Sequence, residues 1–457
     1  MQERHPLKGE AITKELLRPL NQTPMIFWVA VIILGGILTA FAFAVGWMFY
    51  WGLGTTGLNT PIFWGFMITN FVFWIGISHA GVMISAILRL TQAEWRRPVT
   101  RAAEVMTIFS LLTAMLFPFL HTGRPWRTVY WVFPYDFDRG IWPDPRGPLV
   151  WDPAAVFTYL TGSTLFLYTT LIPDMALLRD RSTGWRKTLY TILALGWRGN
   201  ERQWKLQLVA GILLSALILP VFVSVHSIVS WDFAVSLIPV WHASIFAPYF
   251  VIGAVHSGVS AVITLMALMR WLFGFHNYLR EEHFDSIGRL LVVVATGWMW
   301  FFVLDIIFAM FTRDPRELVV MEQRIFEWPY AMLLAFVFVF AYIIPVPVWM
   351  FQRFRRNIKI MFWTSLMVNV GMWAERYWLI LPGLERKFEF TFMWSWYRPS
   401  IVELTLVFGS FALVTFLLLL FSKIFPPVAV WEEMEGVNFA QDIQVGKRTV
   451  HATIREE

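Results

Sequence analysis

The chain has 457 residues, 57% of them hydrophobic and 15% charged, with a net charge of +6. Soluble domains are nearer roughly 45–50% apolar and 25% charged, so this composition excludes an ordinary soluble enzyme, and the aromatic load of 26 Trp and 42 Phe excludes a disordered chain. There is no cysteine, so the chain holds no disulfide and no cysteine-ligated zinc or iron–sulfur cluster. Redox chemistry here needs a cofactor held in another way, or by a partner.

Along the chain, apolar runs near the roughly 20 residues that span a hydrocarbon core occur at 25–50, 62–88, 104–120, 154–173, 206–226, 243–271, 288–311, 328–350, 359–381 and 401–425. The runs are continuous rather than alternating, which predicts ten transmembrane helices in an all-α polytopic membrane protein. The third run ends at Pro118-Phe119-Leu120-His121 and is expected to unwind there. Residues 1–24 carry charges and prolines, and the first run is too long for the core of a signal peptide, so no cleavable leader is expected. Of the 37 Lys and Arg, 26 fall in segments on the side of the N-terminus and 10 on the opposite side. That asymmetry predicts both termini in the cytoplasm, and it makes the positive charge a mark of topology rather than of nucleic-acid binding.

Two short segments repeat. Ile77-Ser78-His79-Ala80-Gly81 in the second run and Ala254-Val255-His256-Ser257-Gly258 in the sixth each set small residues around one histidine. Trp151-Asp152-Pro153 ahead of the fourth run matches Glu327-Trp328-Pro329 ahead of the eighth at nearly the same offset. An offset of four helices keeps the same orientation, which predicts a parallel repeat about an axis along the membrane normal. The expected organisation is an N-terminal segment 1–24, a first helix with its outer loop 25–61, and a four-helix bundle 62–227. An outer loop 228–242, a second bundle 243–381, a loop with the tenth helix 382–425 and a cytoplasmic tail 426–457 follow.

The loop from Phe119-Leu120-His121-Thr122-Gly123-Arg124-Pro125-Trp126 through Asp136, Asp138 and Asp144 to Asp152 joins adjacent helices, and would make His121 and Asp152 neighbours at the outer face. Histidine with a carboxylate suits proton transfer, and quinol oxidation needs acceptors for two protons. The plainer alternative is that Asp152 caps a helix and Arg124 makes surface ion pairs. The outer loop around His226, Trp231, Asp232, Trp241 and His242 has the composition of an interfacial pocket or of an aromatic docking belt. Within the runs or at their inner ends, His79, Glu104, Asp174, His256, Asp305, Glu375 and Arg376 are candidates for a proton path, because ionisable groups inside a bilayer are expensive. The bland alternative for each is a polar contact between helices worth about 1 kcal/mol. Glu375 and Arg376 are adjacent and point about 100° apart, so each is expected to find a partner on another helix, Asp305 being a candidate for Arg376.

Phe73-Trp74-Ile75-Gly76-Ile77-Ser78-His79-Ala80-Gly81, His121-Thr122-Gly123-Arg124-Pro125-Trp126, Ser230-Trp231-Asp232-Phe233-Ala234, Pro239-Val240-Trp241-His242 and Gly371-Met372-Trp373-Ala374-Glu375-Arg376 together resemble the NrfD/PsrC family of quinone-interacting membrane subunits. Within it they are most similar to the larger such subunit of bacterial alternative complex III, called ActC. The resemblance implies two four-helix bundles and a menaquinol pocket near the outer face beneath a peripheral iron–sulfur subunit. It implies His121 and Asp152 as proton acceptors, with Arg124, Asp232 and His242 shaping the site. It also implies no haem or cluster in this chain, and as partners c-type haem subunits, a second NrfD-like membrane subunit and lipids. Three other readings stay open: a secondary transporter or proton channel, which predicts a matched pair of broken helices; a redox-inert anchor for peripheral subunits; and a haem cytochrome, for which His79 and His256 are the only pair at suitable depth.

Overall fold

A computed structural model describes residues 9–127, 148–438, 440–445 and 448–453. In chain order, α1 (Gly9–Leu16) precedes the long helix α2 (Met25–Trp51). Then come α3 (Phe66–Leu90), α4 (Arg97–His121), α5 (Pro148–Arg181), the short α6 (Gly184–Leu193) and α7 (Glu201–Ala234). The second half holds α8 (Phe246–Phe273), α9 (Glu281–Thr312) and the short α10 (Pro315–Phe326). A broken helix follows, made of α11 (Tyr330–Phe338), a π-turn (Val339–Ile343) and α12 (Pro345–Met350). The chain continues with α13 (Ile358–Glu385), α14 (Ile401–Ile424) and the tail helix α15 (Val430–Asn438).

Nine helices among the described residues are long and apolar enough to cross a membrane, and the protein is an all-α polytopic membrane protein. The expected span 359–381 corresponds to α13, which at 28 residues has the length but carries Glu375 and Arg376 in its buried part. One addition to the helical plan lies in the tail, where Ala440–Val445 and Arg448–Thr453 pair as an antiparallel hairpin.

Helices outrun their apolar runs because caps and self-bonded side chains carry them further. α7 starts five residues before its apolar run, where Asn200 accepts from the Gln203 amide in a capping box. It runs on past His226 to Ala234, with Ser227 and Ser230 bonding back to the carbonyls of Val223 and Ser227. The outer loop expected at 228–242 is shorter for that reason. The unwinding expected at Pro118 does not occur: α4 continues to His121, and the Thr122 amide still donates to the Pro118 carbonyl at 3.3 Å. Proline removes one hydrogen bond of the last turns, and buried Phe117 and Leu120 on either side hold the helix in place.

α3 packs on α4 and α7, and α5 on α7; α8 packs on α9 and α13, and α13 on α11. The two groups meet where α3 crosses α8. The repeated small residues make that crossing. A Cβ on Gly76 would lie 3.5 Å from the Ala254 Cα, while one on Gly258 would overlap the Ala80 Cβ. Small residues let helix backbones approach closely in a membrane. α2 lies on α14 with the Phe41 ring over Gly409, and α14 docks on α3 through Ser410, whose hydroxyl accepts from Asn70 and Trp74 at 2.8 and 2.9 Å.

Candidate functional site

α5 packs on both α4 and α7, and the end of α4, the start of α5 and the end of α7 lie at the same end of the first helical group. His121 is the last residue of α4, and its buried Nδ1 has no hydrogen-bond partner. Asp152 sits in the first turns of α5 and is 3% exposed. Its partner is Asp232, from the last turn of α7: the two carboxyl groups share a hydrogen bond. The Oδ1 atoms of both are buried and unpartnered. Trp151 and Trp231, the residues preceding the two acids, meet edge to face at 6.1 Å. Carboxylates only accept, so a hydrogen bond between two carboxyl groups needs a proton on one of them. The pair is thus a site that holds a proton between its two members.

Several expectations change here. No hydrogen bond or ion pair joins His121 to Asp152; the carboxylate meets another carboxylate instead. Asp152 is not a helix cap either, because α5 begins four residues earlier, at Pro148. Arg124 is exposed and forms no ion pair among the described residues. Asp136, Asp138 and Asp144 lie outside the described residues. His242 faces the second helical group, with Nε2 3.2 Å from the Glu317 carboxylate of α10 and Nδ1 3.1 Å from the Ile238 carbonyl.

His226 is not in an outer pocket. It lies fully buried on α7, its ring 4.6 Å from that of His79 and 5.9 Å from that of Phe250. Tyr159 stacks on His79 at 4.8 Å, and its hydroxyl donates to the Ser78 carbonyl. Both nitrogens of His226 are buried, with the Phe250 backbone as the nearest acceptor, while His79 Nδ1 bonds the Ile75 carbonyl. His256 occupies the matching place on α8 but is held differently. Its Nε2 lies 3.1 Å from the Ala341 carbonyl, inside the π-turn, and its ring stacks on Trp298 at 5.6 Å.

The second group holds a buried polar cluster. Glu375 accepts from the Tyr249 hydroxyl. Arg376 Nε lies 3.4 Å from the Glu375 carboxylate, and the guanidinium stands over the Phe250 ring at 4.7 Å. Adjacent positions on a helix predict separate partners for these two residues, with Asp305 a candidate for Arg376. In the structure the long side chains curl back across the angular gap, and Asp305 pairs with Arg324 at 3.6 Å. Arg324 comes from α10, a helix outside the apolar runs. Its signal in the sequence is the stripe Glu317, Val320, Met321 and Arg324, one face of an amphipathic helix in what reads as a loop. Tyr159 and Tyr249 carry no comparable signal.

At the opposite end, Glu104 accepts from Ser85 and, at 3.3 Å, from Thr170. Asp174 is occupied on both oxygens: Arg101 pairs with it at 3.0 Å, and the amides of Val430 and Trp431 donate to it at 3.2 and 3.0 Å. It therefore caps the first turn of the tail helix from another element.

The chain is similar to known proteins. A putative dimethyl sulfoxide reductase membrane subunit from Halobacterium salinarum is 25% identical over 241 residues, 52% of this chain and 51% of that protein, so the chain matches about half of that relative's length. A selenate reductase subunit from Mesobacillus selenatarsenatis is 19% identical over 416 residues, 85% of this chain and 90% of that one. Residues 54–386 match the family described as polysulphide reductase, NrfD. That stretch runs from the loop after α2 to the end of α13, taking in both helical groups and the carboxyl pair, and the chain belongs to the NrfD family.

Proposed function

We propose that the chain is the quinol-binding, quinol-oxidising membrane subunit of an electron-transfer complex, with the reaction at the His121 end of the first bundle. The observation that carries this is the meeting of two acids from different helices, Asp152 and Asp232, at that end. Oxidising a quinol to a quinone releases two electrons and two protons. The member of the pair that is still a carboxylate takes one proton, and His121, whose buried Nδ1 is unpartnered, takes the other. The electrons leave to a peripheral iron–sulfur subunit, because a chain without cysteine holds no thiolate-bound cluster of its own. The family match and the two relatives support membership of a membrane-bound redox complex.

Within this reading the quinol is menaquinol, the complex is of the alternative complex III type with c-type haem subunits and a second NrfD-like subunit, and the chain sits in a bacterial inner membrane with both termini cytoplasmic. The motif resemblance and the Lys/Arg asymmetry support these finer points. Protons move inward through His79 and His226 in the first bundle toward Glu104. His256, Asp305, Glu375 and Arg376 form the equivalent set in the second bundle, and Asp174 anchors the inner end. A second reading, favoured by what the relatives are called, is the membrane subunit of a reductase for a sulfoxide or an oxyanion. The transporter alternative calls for a pair of broken helices, and α11–α12 is interrupted while α5 is continuous.

The test is turnover of the purified complex with menaquinol, comparing wild type with Asp152→Asn. Loss of turnover in an assembled complex supports the site, and full turnover overturns it. Reduction of haem c rather than of a sulfoxide or selenate separates the two readings.

A further inference from the structure

At the end of the molecule opposite the carboxyl pair, the first turn of α2, the last turns of α8 and α14, and residues 18–24 enclose a groove of about 460 Å³. Binding sites for small molecules are typically about 300–1,000 Å³. One wall is apolar, built from Ile26 and Phe27 of α2, Leu272 of α8 and Leu419 of α14. The other carries two cations. Lys423 donates to the carbonyls of Pro19 and Gln22, both at 2.6 Å, and its ammonium stands over the Phe27 ring at 4.5 Å. That leaves it one free N–H. Arg18 is exposed, and its side chain has no hydrogen bond or ion pair among the described residues. Among the described residues no acid lines the groove, and Arg186 lies close enough to add positive potential at Lys423.

We propose that this groove binds an anionic phospholipid, with the phosphate between Arg18 and Lys423 and an acyl chain along the apolar wall. The placement argues for it: three helices read as membrane spans end together here, so the groove opens where the hydrocarbon core meets the headgroups. Basic pockets between transmembrane helices at this level suit lipid phosphate. A soluble anion would use the cations but leave the apolar wall without a partner. The proposal is independent of the quinol reading, since it rests on residues outside that site.

Native mass spectrometry of the full chain in detergent, offered phosphatidylglycerol or phosphatidylcholine, tests it. Wild type should retain phosphatidylglycerol in clear preference. Arg18→Ala should weaken that retention about fivefold, the worth of one basic residue at an anionic surface, and Arg18→Lys should restore most of it. Ala30→Trp, which fills the groove from α2, should remove retention while a thermal unfolding control stays unchanged. Equal retention of the two lipids, or an unaltered Arg18→Ala protein, overturns the proposal. So does complete displacement of the lipid by inorganic phosphate, which would mark a free-anion site.

Discussion

Asp152 and Asp232, carried on different helices, meet through a hydrogen bond between their carboxyl groups. The pair ties the start of α5 to the end of α7 and sets its proton capacity at the same place. Replacing either acid by asparagine keeps a hydrogen bond between the two side chains but removes a proton acceptor. Each of Asp152→Asn and Asp232→Asn is therefore expected to assemble normally and to lose quinol turnover by about 10²–10⁴, the usual scale of a positioned acid or base. His121→Ala should fall in the same range. Steady-state turnover with a gel-filtration check on assembly decides it, and an active Asp232→Asn complex would refute the shared role.

Arg324 and Asp305 give a second expectation. Arg324 is fully buried, donates to the Leu379 carbonyl and stands over the Trp378 ring at 5.0 Å. Removing it strands a buried carboxylate, and breaking such a pair costs about 3–5 kcal/mol. Arg324→Met should destabilise the protein by that order. The double variant Arg324→Met with Asp305→Asn should recover much of the loss, because no charge is then left alone. Chemical unfolding in detergent of the wild type, both singles and the double gives the coupling directly; additive singles would show that the two residues do not act as a pair.

What can be read from the chain divides along physical lines. Apolar runs locate helices because the bilayer forces every backbone group into helical bonds, so the elements follow from local sequence. The chemistry depends on contacts between distant segments, and there the reading thins out. Asp152 and Asp232 each stand out in the sequence, yet nothing local indicates that they meet. His226 reads as a loop residue because the apolar run stops there, while Ser227 and Ser230 satisfy their own hydroxyls and let α7 continue. Asp174 reads as an isolated buried acid, and its partners, the amides of Val430 and Trp431, belong to a tail helix too short and polar to stand out. Arg324 sits in a helix that never enters the apolar runs.

The crossing of α3 and α8 makes a sharper demand on two glycines. Gly258→Ala would drive a methyl group into the Ala80 Cβ and place it 3.1 Å from the Ile77 carbonyl, so the helices must separate. Gly76→Ala meets its nearest atoms at 3.5 Å, ordinary contact distance. Overpacking typically costs about 1–3 kcal/mol. Gly258→Ala should therefore lower the unfolding temperature in detergent while Gly76→Ala leaves it nearly unchanged. Equal effects would show that the crossing is not as close as these distances require.

The tail helix α15 should dock on the bundle in a pH-dependent way with two opposite slopes. Glu432 is paired with Arg89 at 2.9 Å and Arg96 at 2.6 Å. Burial pushes its carboxyl up, but Arg96, Arg89, Arg97 and Arg101 outweigh that and hold it at about 2. Burial pushes Glu433 the other way, up to about 7, with Arg97 opposing and Glu432 assisting. In the released tail both acids return to the ordinary value of 4.5. For Glu432 the docked state binds fewer protons than the released one, so its contribution is present above 4.5 and is lost as pH falls toward about 2. For Glu433 the docked state binds more, so docking weakens as pH rises from 4.5 to about 7 and then levels off. A fluorophore at exposed Val437 should report the tightest docking near pH 4.5, with release on either side. Glu433→Gln should flatten the upper slope alone. Glu432→Gln should release the tail across the whole range, because it leaves Arg89 and Arg96 facing each other without their shared carboxylate. A wild-type signal that does not change between pH 4.5 and 7 would rule out a protonated Glu433 in the docked tail.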